Sequence, residues 1–253
     1  MNRATFKVIL TTCVLLPILI ALPTGVTAKP RFKAVAFDYF VIFDPASVVP
    51  FVEKEFPGKG TEFTKAWQRK QFEYAFLRSI TGRYKDFFEV TADALDHTAE
   101  SMKLTMTAGA RSRLLGSYLV LKPWPDTVGA LKKLKAAGVR IVAVSNFSDK
   151  MLKENADNAG ITNLFDELLS TAANGTFKPD PRAYELGLDR LHLEKGEIAF
   201  AAFGGWDAYG AKSFGYPTFW VNRLGFPAER LGAEPDGSSP DLKGFLEFVL
   251  GKE

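Results

Sequence analysis

Hydrophobic positions along this chain fall into three regimes, and their spacing predicts the architecture. Val8 to Leu22 is a nearly unbroken apolar run. From about Pro45 to Leu121 apolar residues recur near helical spacing, as with Phe63, Trp67, Tyr74 and Leu77 inside a helix predicted over Thr61–Ile80. Further helices are predicted over Asp86–Met102 and Ala108–Val120, with no strand pattern among them. Around this block the pattern alternates. Lys33-Ala-Val-Ala-Phe37 is a short apolar run ending in Asp38, the signature of a buried parallel strand. Arg140–Val144, Leu168–Leu169, Ile198–Phe203 and Thr218–Asn222 read as strands too. Between and after them, helices are predicted over Thr127–Ala137, Asp149–Ala159, Pro181–Leu191, Ala208–Phe214 and Asp241–Leu250. Gly138 and Gly160 stop two of these, and Pro181 opens a third. Asp236 to Pro240 reads as a polar loop.

Strand–helix alternation implies a parallel sheet covered on both faces. A helical block between the first strand and the second implies an insertion. The expected fold is therefore α/β, a Rossmann-like parallel-sheet core with an inserted helical cap domain. The core is placed at residues 29–44 and 122–253, and the cap at residues 45–121.

The amino-terminal run adds a targeting element. Arg3 and Lys7 make a positive leading region, Pro23 and Gly25 break the apolar run, and Val26-Thr27-Ala28 is a small-x-small cleavage signal. The run is shorter than the ~20 residues that span a bilayer. Residues 1–28 are thus expected to be a removable signal peptide, with a periplasmic or secreted product and no stable membrane association afterwards. The formal charge of +3 falls to +1 once Arg3 and Lys7 are removed, which leaves no electrostatic footprint for nucleic acid. The single cysteine, Cys13, leaves with the same segment. That excludes thiol nucleophiles, thiolate ligands and disulfides from the mature chain. His97 and His192 lie on predicted helices with no ligand partner at helical spacing, so no metal site or cofactor is expected. Catalysis must then rest on carboxylates, lysine, hydroxyls and backbone.

In an open parallel sheet, ligands bind at the carboxyl ends of the strands. There stand Asp38, Ser145-Asn146, Lys178-Pro179-Asp180 and Trp206-Asp207. A single strand-terminal aspartate is usually a turn or cap residue. Four such groups at successive strand ends, supplying two carboxylates, a hydroxyl and an ammonium, suggest a site.

Phe37-Asp38, Ser145-Asn146 and Lys178-Pro179-Asp180-Pro181-Arg182-Ala183-Tyr184-Glu185 resemble, in order, the first three motifs of the haloacid dehalogenase superfamily. Phe43-Asp44, Trp67-Gln-Arg-Lys70-Gln71-Phe-Glu-Tyr74, Leu77-Arg78-Ser79, Gly82-Arg83-Tyr84 and Trp206-Asp207-Ala-Tyr-Gly210-Ala211 are similar to the (S)-2-haloacid dehalogenases within it. The resemblance implies hydrolytic dehalogenation of short 2-haloalkanoic acids through an aspartyl ester, with a 2-halocarboxylate and water as partners. By that resemblance Asp38 is the nucleophile, Lys178 keeps it ionised, and Asp207 positions or activates water. Ser145 and Asn146 hold substrate carboxylate and departing halide, Tyr184 supports Lys178, and Trp206, Phe72 and Phe87 form an apolar wall. The resemblance also implies a homodimer through the cap segment Trp67 to Tyr84.

The chain departs from the family pattern at four supporting positions. Tyr39-Phe40-Val41-Ile42 replaces a Tyr-Gly-Thr stretch, one residue shorter and without the threonine hydroxyl. The arginine expected after the cap tryptophan is Gln68, with Arg69 next to it but about 100° round the helix; both are kept as candidate substrate-binding residues. The expected serine and asparagine before Trp206 are Ala202 and Gly204. A magnesium-dependent phosphatase of the superfamily needs acids where Phe40 and Phe203 stand, since magnesium takes hard oxygen ligands. Two readings stay open at this point: a hydrolase of carbon–halide bonds, and a small-carboxylate or anion binding protein that has lost turnover.

Overall fold

The structure is a computed structural model that describes Met1 and residues 30–252. The expected signal peptide, with Cys13, lies outside the described residues. Six parallel strands form the sheet: β1 (Ala34–Phe37), β4 (Arg140–Ser145), β5 (Glu167–Ser170), β6 (Ile198–Ala202), β7 (Thr218–Val221) and β8 (Gly237–Ser239). Their spatial order is β5-β4-β1-β6-β7-β8, which puts β1 in the centre and reverses direction of travel there. Such a switch point opens a crevice at the strands' carboxyl ends.

Side-chain alternation divides the core in two. Val35 and Phe37 of β1 join Ile141, Ala143, Ala199 and Ala201 on one face. They pack there beneath α6 (Thr127–Ala136), α7 (Asp149–Asn158) and α10 (Leu242–Leu250). Ala34 and Ala36 face the other way with Val142, Val144 and Phe200, against α8 (Pro181–Leu191) and α9 (Gly205–Phe214). Both faces are buried, so every position of β1 is apolar and no polar alternation marks it.

Between β1 and α6 the chain makes a buried helical turn, α1 (Tyr39–Ile42), and then leaves the sheet. Two-residue strands β2 (Phe43–Asp44) and β3 (Lys122–Pro123) pair antiparallel where it departs and returns. The segment between them holds α2 (Val49–Glu55), α3 (Gly60–Thr81), α4 (Phe87–Ser101) and α5 (Ala108–Ser117). Asp86 and Thr107 accept backbone N–H bonds at the starts of α4 and α5, which fixes where those helices begin. Trp67 is fully buried and its indole N–H donates to Thr91 O at 2.9 Å. Gln71 donates to the Thr91 hydroxyl and accepts from Tyr118, each at 2.9 Å. Toward its carboxyl end α3 turns outward, leaving Leu77 and Ile80 exposed.

Two sequence expectations are corrected. Asp236–Pro240 is not simply a loop: Gly237–Ser239 pairs with Phe219–Val221 as the edge strand β8. An edge strand needs only one backbone partner and carries no apolar signal. Gly237 fits because the Phe219 ring lies where a Cβ would sit, 2.8 Å away. Helix α9 starts at Gly205 rather than Ala208, so Trp206 and Asp207 occupy its first turn.

The returning end of the cap is fastened to the core by one side chain. Asn155 on α7 is fully buried; its Nδ2 donates to Tyr118 O and Met151 O at 2.8 Å, and its Oδ1 accepts from Leu121 N–H at 2.7 Å. Asn155→Ala leaves Leu121 N–H and Tyr118 O without these partners in a dry setting, where each costs about 1–3 kcal/mol. We expect the substitution to lower unfolding free energy by about 2 kcal/mol or more, read as a lower urea midpoint at unchanged slope. A midpoint indistinguishable from the parent would contradict this account.

Candidate active site

The turn that follows β1 determines where Asp38 sits. Its carbonyls cannot all be satisfied within one short helix, and neighbours take them up. The Trp124 indole donates to Phe40 O at 2.9 Å, the Thr127 hydroxyl to Ile42 O at 2.9 Å, and Arg223 Nη2 to Val41 O at 3.0 Å. Arg223 is itself held by Asp126 at 2.9 Å. Asp38 precedes this turn with extended backbone, yet its side chain caps nothing. The ordinary explanation for a strand-terminal aspartate therefore fails here.

The Asp38 carboxylate instead meets Lys178, whose Nζ lies 3.1 Å from Asp38 Oδ1 and 2.8 Å from Asp207 Oδ2. All three are buried, Lys178 and Asp207 almost completely. The Phe200 ring centroid is 5.3 Å from the same ammonium, beneath the sheet end. Burial alone would lower the Lys178 pKa, but the charges of Asp207 and Asp38 outweigh it and hold the ammonium above its usual value. Asp207 is pushed up to about 6, first by burial and then by the Asp38 charge, against the opposing pull of Lys178 and Tyr184. The cluster is two anions around one cation.

Ser145 and Asn146 close the second side. Ser145 Oγ accepts from Phe147 N–H at 3.1 Å. Asn146 Oδ1 accepts from the backbone N–H of Lys178 at 2.8 Å, which aligns the lysine loop with the end of β4. The Asn146 Nδ2 is buried and has no hydrogen-bond partner. From the cap, Ser79 reaches the same loop, its Oγ accepting from Phe177 N–H at 3.0 Å.

A tight cavity of about 10 Å³, room for roughly one water, opens onto these groups, lined by Asp38, Phe40, Phe72, Phe87, Ser145, Asn146, Phe147, Lys178 and Trp206. Its walls are a chain of touching rings. Phe87 stacks on Phe147 at 5.6 Å, Phe147 meets Phe40 at 5.2 Å, Phe40 meets Phe72 at 6.4 Å, and Phe72 meets Trp206 at 5.4 Å. Phe72 and Phe87 come from the cap and the others from the core, so closing the cap completes the wall.

Eight of the sequence-derived residues thus converge: Asp38, Lys178, Ser145, Asn146, Trp206, Phe72 and Phe87 line the cavity, and Asp207 lies directly behind its lysine. Three expectations need correction. Tyr184 is fully buried, and its hydroxyl donates to Asp207 Oδ1 at 2.7 Å rather than reaching Lys178 or the cavity. Gly210 permits this, since a Cβ there would meet the Tyr184 oxygen at 2.4 Å. Gln68 is turned to the cap hinge, donating to Pro45 O at 2.9 Å, and Arg69 is exposed on the cap surface. The 100° step along α3 separates Arg69 from the buried face. Phe40 and Phe147 also line the cavity, beyond the residues that the motifs single out. Phe147 follows Ser145-Asn146 directly, and that adjacency was the available signal.

The haloacid dehalogenase-like hydrolase family matches residues 27–215. Haloacetate dehalogenase H-2 of Moraxella sp. (strain B) is 39% identical over 220 residues, which cover 87% of this chain and 98% of that protein. The (S)-2-haloacid dehalogenase of Pseudomonas sp. (strain YL) is 39% identical over 217 residues, 85% of this chain and 94% of its own. The structure of the L-2-haloacid dehalogenase from Xanthobacter autotrophicus with chloropropionic acid covalently bound superposes with a TM-score of 0.82 at 32% identity. That match covers 88% of this chain and 100% of the other.

Removing the shared cation tests the electrostatic account. In Lys178→Met two buried carboxylates face each other unpaired, and breaking a buried pair costs about 3–5 kcal/mol. Asp207 is already raised by burial, and without the lowering pull of the cation it rises further, so folding takes up more protons. The deficit relative to the parent should therefore be largest near neutral pH and shrink as pH falls. A deficit that is constant with pH would refute it.

Proposed function

This chain belongs to the haloacid dehalogenase-like hydrolases, and we propose that it hydrolyses the carbon–halogen bond of short 2-haloalkanoic acids through an ester on Asp38. The observation that carries this reading is the buried Lys178 ammonium bridging two carboxylates at the floor of an aromatic cavity. Asp38 Oδ attacks the halogen-bearing carbon; the carbon–halogen bond breaks and its electron pair leaves with the halide. Water then attacks the Asp38 carbonyl carbon, Asp207 accepts its proton, and the 2-hydroxy acid departs with Asp38 regenerated. Lys178 donates to Asp38 and pulls Asp207 toward its charged form against burial, and Tyr184 orients Asp207 from behind. The aromatic wall strips water from the nucleophile, where a displacement needs an unsolvated anion. Phe40 and Phe203, with ring centroids 5.8 Å apart, put hydrocarbon where a phosphatase holds acids. A passive anion binder has no use for a nucleophile oriented in this way, so turnover is the better-supported reading.

Two further proposals concern the chain as a whole. Residues 1–28 direct export, supported by the sequence pattern and by a family match that begins at residue 27. Among the described residues no helix is long and apolar enough to cross a membrane. The exposed Leu77 and Ile80, beside Tyr74, support a homodimer through α3, since exposed apolar patches mark interfaces. Amino-terminal sequencing of exported protein should begin at Lys29, and light scattering at micromolar concentration should give twice the chain mass. An uncleaved terminus or a monomer mass would end the respective proposal.

The mechanism has its own test. A single turnover quenched in ¹⁸O-labelled water should place label first on the Asp38 carboxylate. Asp38→Asn should reduce halide release by roughly 10³-fold or more. Because Asp207 must be ionised to take the proton, activity should fall as pH drops through about 6. Ester should then make up a larger fraction of quenched enzyme at about pH 5 than at about pH 8. Label appearing in product with Asp38 unlabelled rules out the ester.

A further inference from the structure

Three of the four tryptophans commit their indole N–H to a backbone carbonyl: Trp67 to Thr91 O, Trp124 to Phe40 O and Trp220 to Phe203 O, each at 2.9 Å. The fourth, Trp206, is half-buried and lines the cavity, yet its Nε1 has no hydrogen-bond partner among the described residues. Its place is fixed from two sides. The ring packs on Phe72 and Phe76 of the cap at 5.4 and 5.2 Å. The nitrogen edge lies against Gly204, where a Cβ would stand 2.6 Å from Nε1 and 3.0 Å from the adjoining ring carbon. Gly204 has φ −84° and ψ 144°, a conformation open to any residue, so its backbone does not require glycine. The space that a side chain at residue 204 would take is filled by the indole nitrogen.

Gly204 also lies between the two acids along the backbone. Asp38 N–H donates to Ala201 O at 2.9 Å, which ties the end of β1 to the end of β6, three residues before Gly204. Gly204 O accepts from Asp207 N–H at 3.1 Å, at the start of α9. An N–H held over Gly204 therefore stands at the edge that Asp38 and Asp207 share. Asp207 Oδ1 and Oδ2 each accept one side-chain hydrogen bond, from Tyr184 and from Lys178, and a carboxylate oxygen has a second acceptor position. Water accepts and donates at once, so one molecule can take the indole N–H on a lone pair and offer a proton to Asp207. The Ser145 hydroxyl and the unpartnered Asn146 Nδ2 are donors suited to the substrate carboxylate, and a halide has no proton to offer Asp207. That leaves the indole N–H for the water.

We propose that the Trp206 indole N–H is the donor that positions the attacking water in the ester-hydrolysis half of the reaction, from the space left by the missing side chain at residue 204. The proposal rests on the aspartyl-ester reading above. The water oxygen, held by Nε1–H, bonds to the Asp38 carboxyl carbon as one water proton passes to Asp207. The bond from that carbon to the alkyl oxygen breaks, the released alkoxide takes the proton, and the 2-hydroxy acid departs. The indole keeps its own proton throughout. Its contribution is orientation, holding one lone pair of the water so that the other faces the ester. Trp206 thus acts in the second step through its nitrogen, while its ring closes the wall in both.

The test follows the ester on Asp38 by mass spectrometry, with purified protein mixed with chloroacetate and quenched through a single turnover, so that ester formation and decay are read separately. Trp206→Phe keeps a ring against Phe72 and Phe76 and loses the nitrogen edge. Ester decay should slow by about tenfold or more beyond any change in ester formation. Adding Gly204→Asn to Trp206→Phe returns an amide donor to the vacated space and should restore decay. Adding Gly204→Leu, of similar volume and without a donor, should not. A role in packing alone makes formation and decay fall together and makes the Asn and Leu double variants behave alike. Either result overturns this inference and leaves the ester reading intact. A parent protein that forms no ester on Asp38 removes the ester reading, and this one with it.

Discussion

One ammonium, that of Lys178, holds two carboxylates that could not otherwise be buried together. Taking an ion out of water costs several kcal/mol even after relaxation, and two like charges at close range compound that cost. The structure offsets it only because three separate segments meet at one point: the end of β1, the loop before α8 and the first turn of α9. The central place of β1 in the strand order is what makes this meeting short-ranged. Its neighbours β4 and β6 pair with it in register, Phe37 opposite Ala143 and Ala201, so the positions just beyond share one edge. The fold is a way of bringing these charges within 3 Å or so of one another while keeping water away.

Exclusion of water falls to aromatic side chains from both domains. Phe40 and Phe147 come with the core, Phe72 and Phe87 with the cap, and neither set encloses the carboxylate alone. Cap placement is accordingly over-determined. The β2–β3 ladder closes its base, Asn155 ties its returning end, and Ser79 contacts the lysine loop. A small movement of α3 would therefore expose the nucleophile and loosen the lysine loop together, which links substrate entry to the electrostatics of the site.

Much of this was legible in the sequence, for reasons that also explain the misses. Apolar runs ending in Asp38 and Ser145 announce parallel strands because both sheet faces are buried, and strand ends are where such sheets bind ligands. Phe63 and Trp67 stand at helical spacing in α3, and both are buried. Edge strand β8 escaped notice because its pairing is pure backbone, with Gly-Ser-Ser carrying no apolar signal. Tyr184 was assigned to Lys178, yet its hydroxyl passes over Gly210 to Asp207, a choice between atoms a few ångströms apart that no linear pattern encodes. Arg69 lay one residue from the anticipated cation, and only helix phase separates the cavity side from solvent. Phe147, a buried phenylalanine after a motif, carries the same pattern as ordinary core.

Two of the four departures from the family pattern, at Phe40 and Gly204, are linked through packing on Phe72. Where a small residue and a hydroxyl were expected after Asp38, Phe40 supplies a ring that contacts Phe72, Phe147 and Phe203. Where an asparagine was expected, Gly204 has no side chain, and a Cβ there would lie 2.6 Å from the Trp206 indole nitrogen. The indole thus occupies space that the missing side chain would need, and from there it packs on Phe72 and Phe76 of the cap at 5.4 and 5.2 Å. Polar support has been exchanged for aromatic closure, and each replacement relies on its neighbours. A side chain at Gly204 would have to displace Trp206 and with it the contact to Phe72 and Phe76, so substitutions at Gly204 and at Phe40, which also meets Phe72, will not add. The buried ion cluster keeps both carboxylates and its lysine, and aromatic rings make up most of the wall around it.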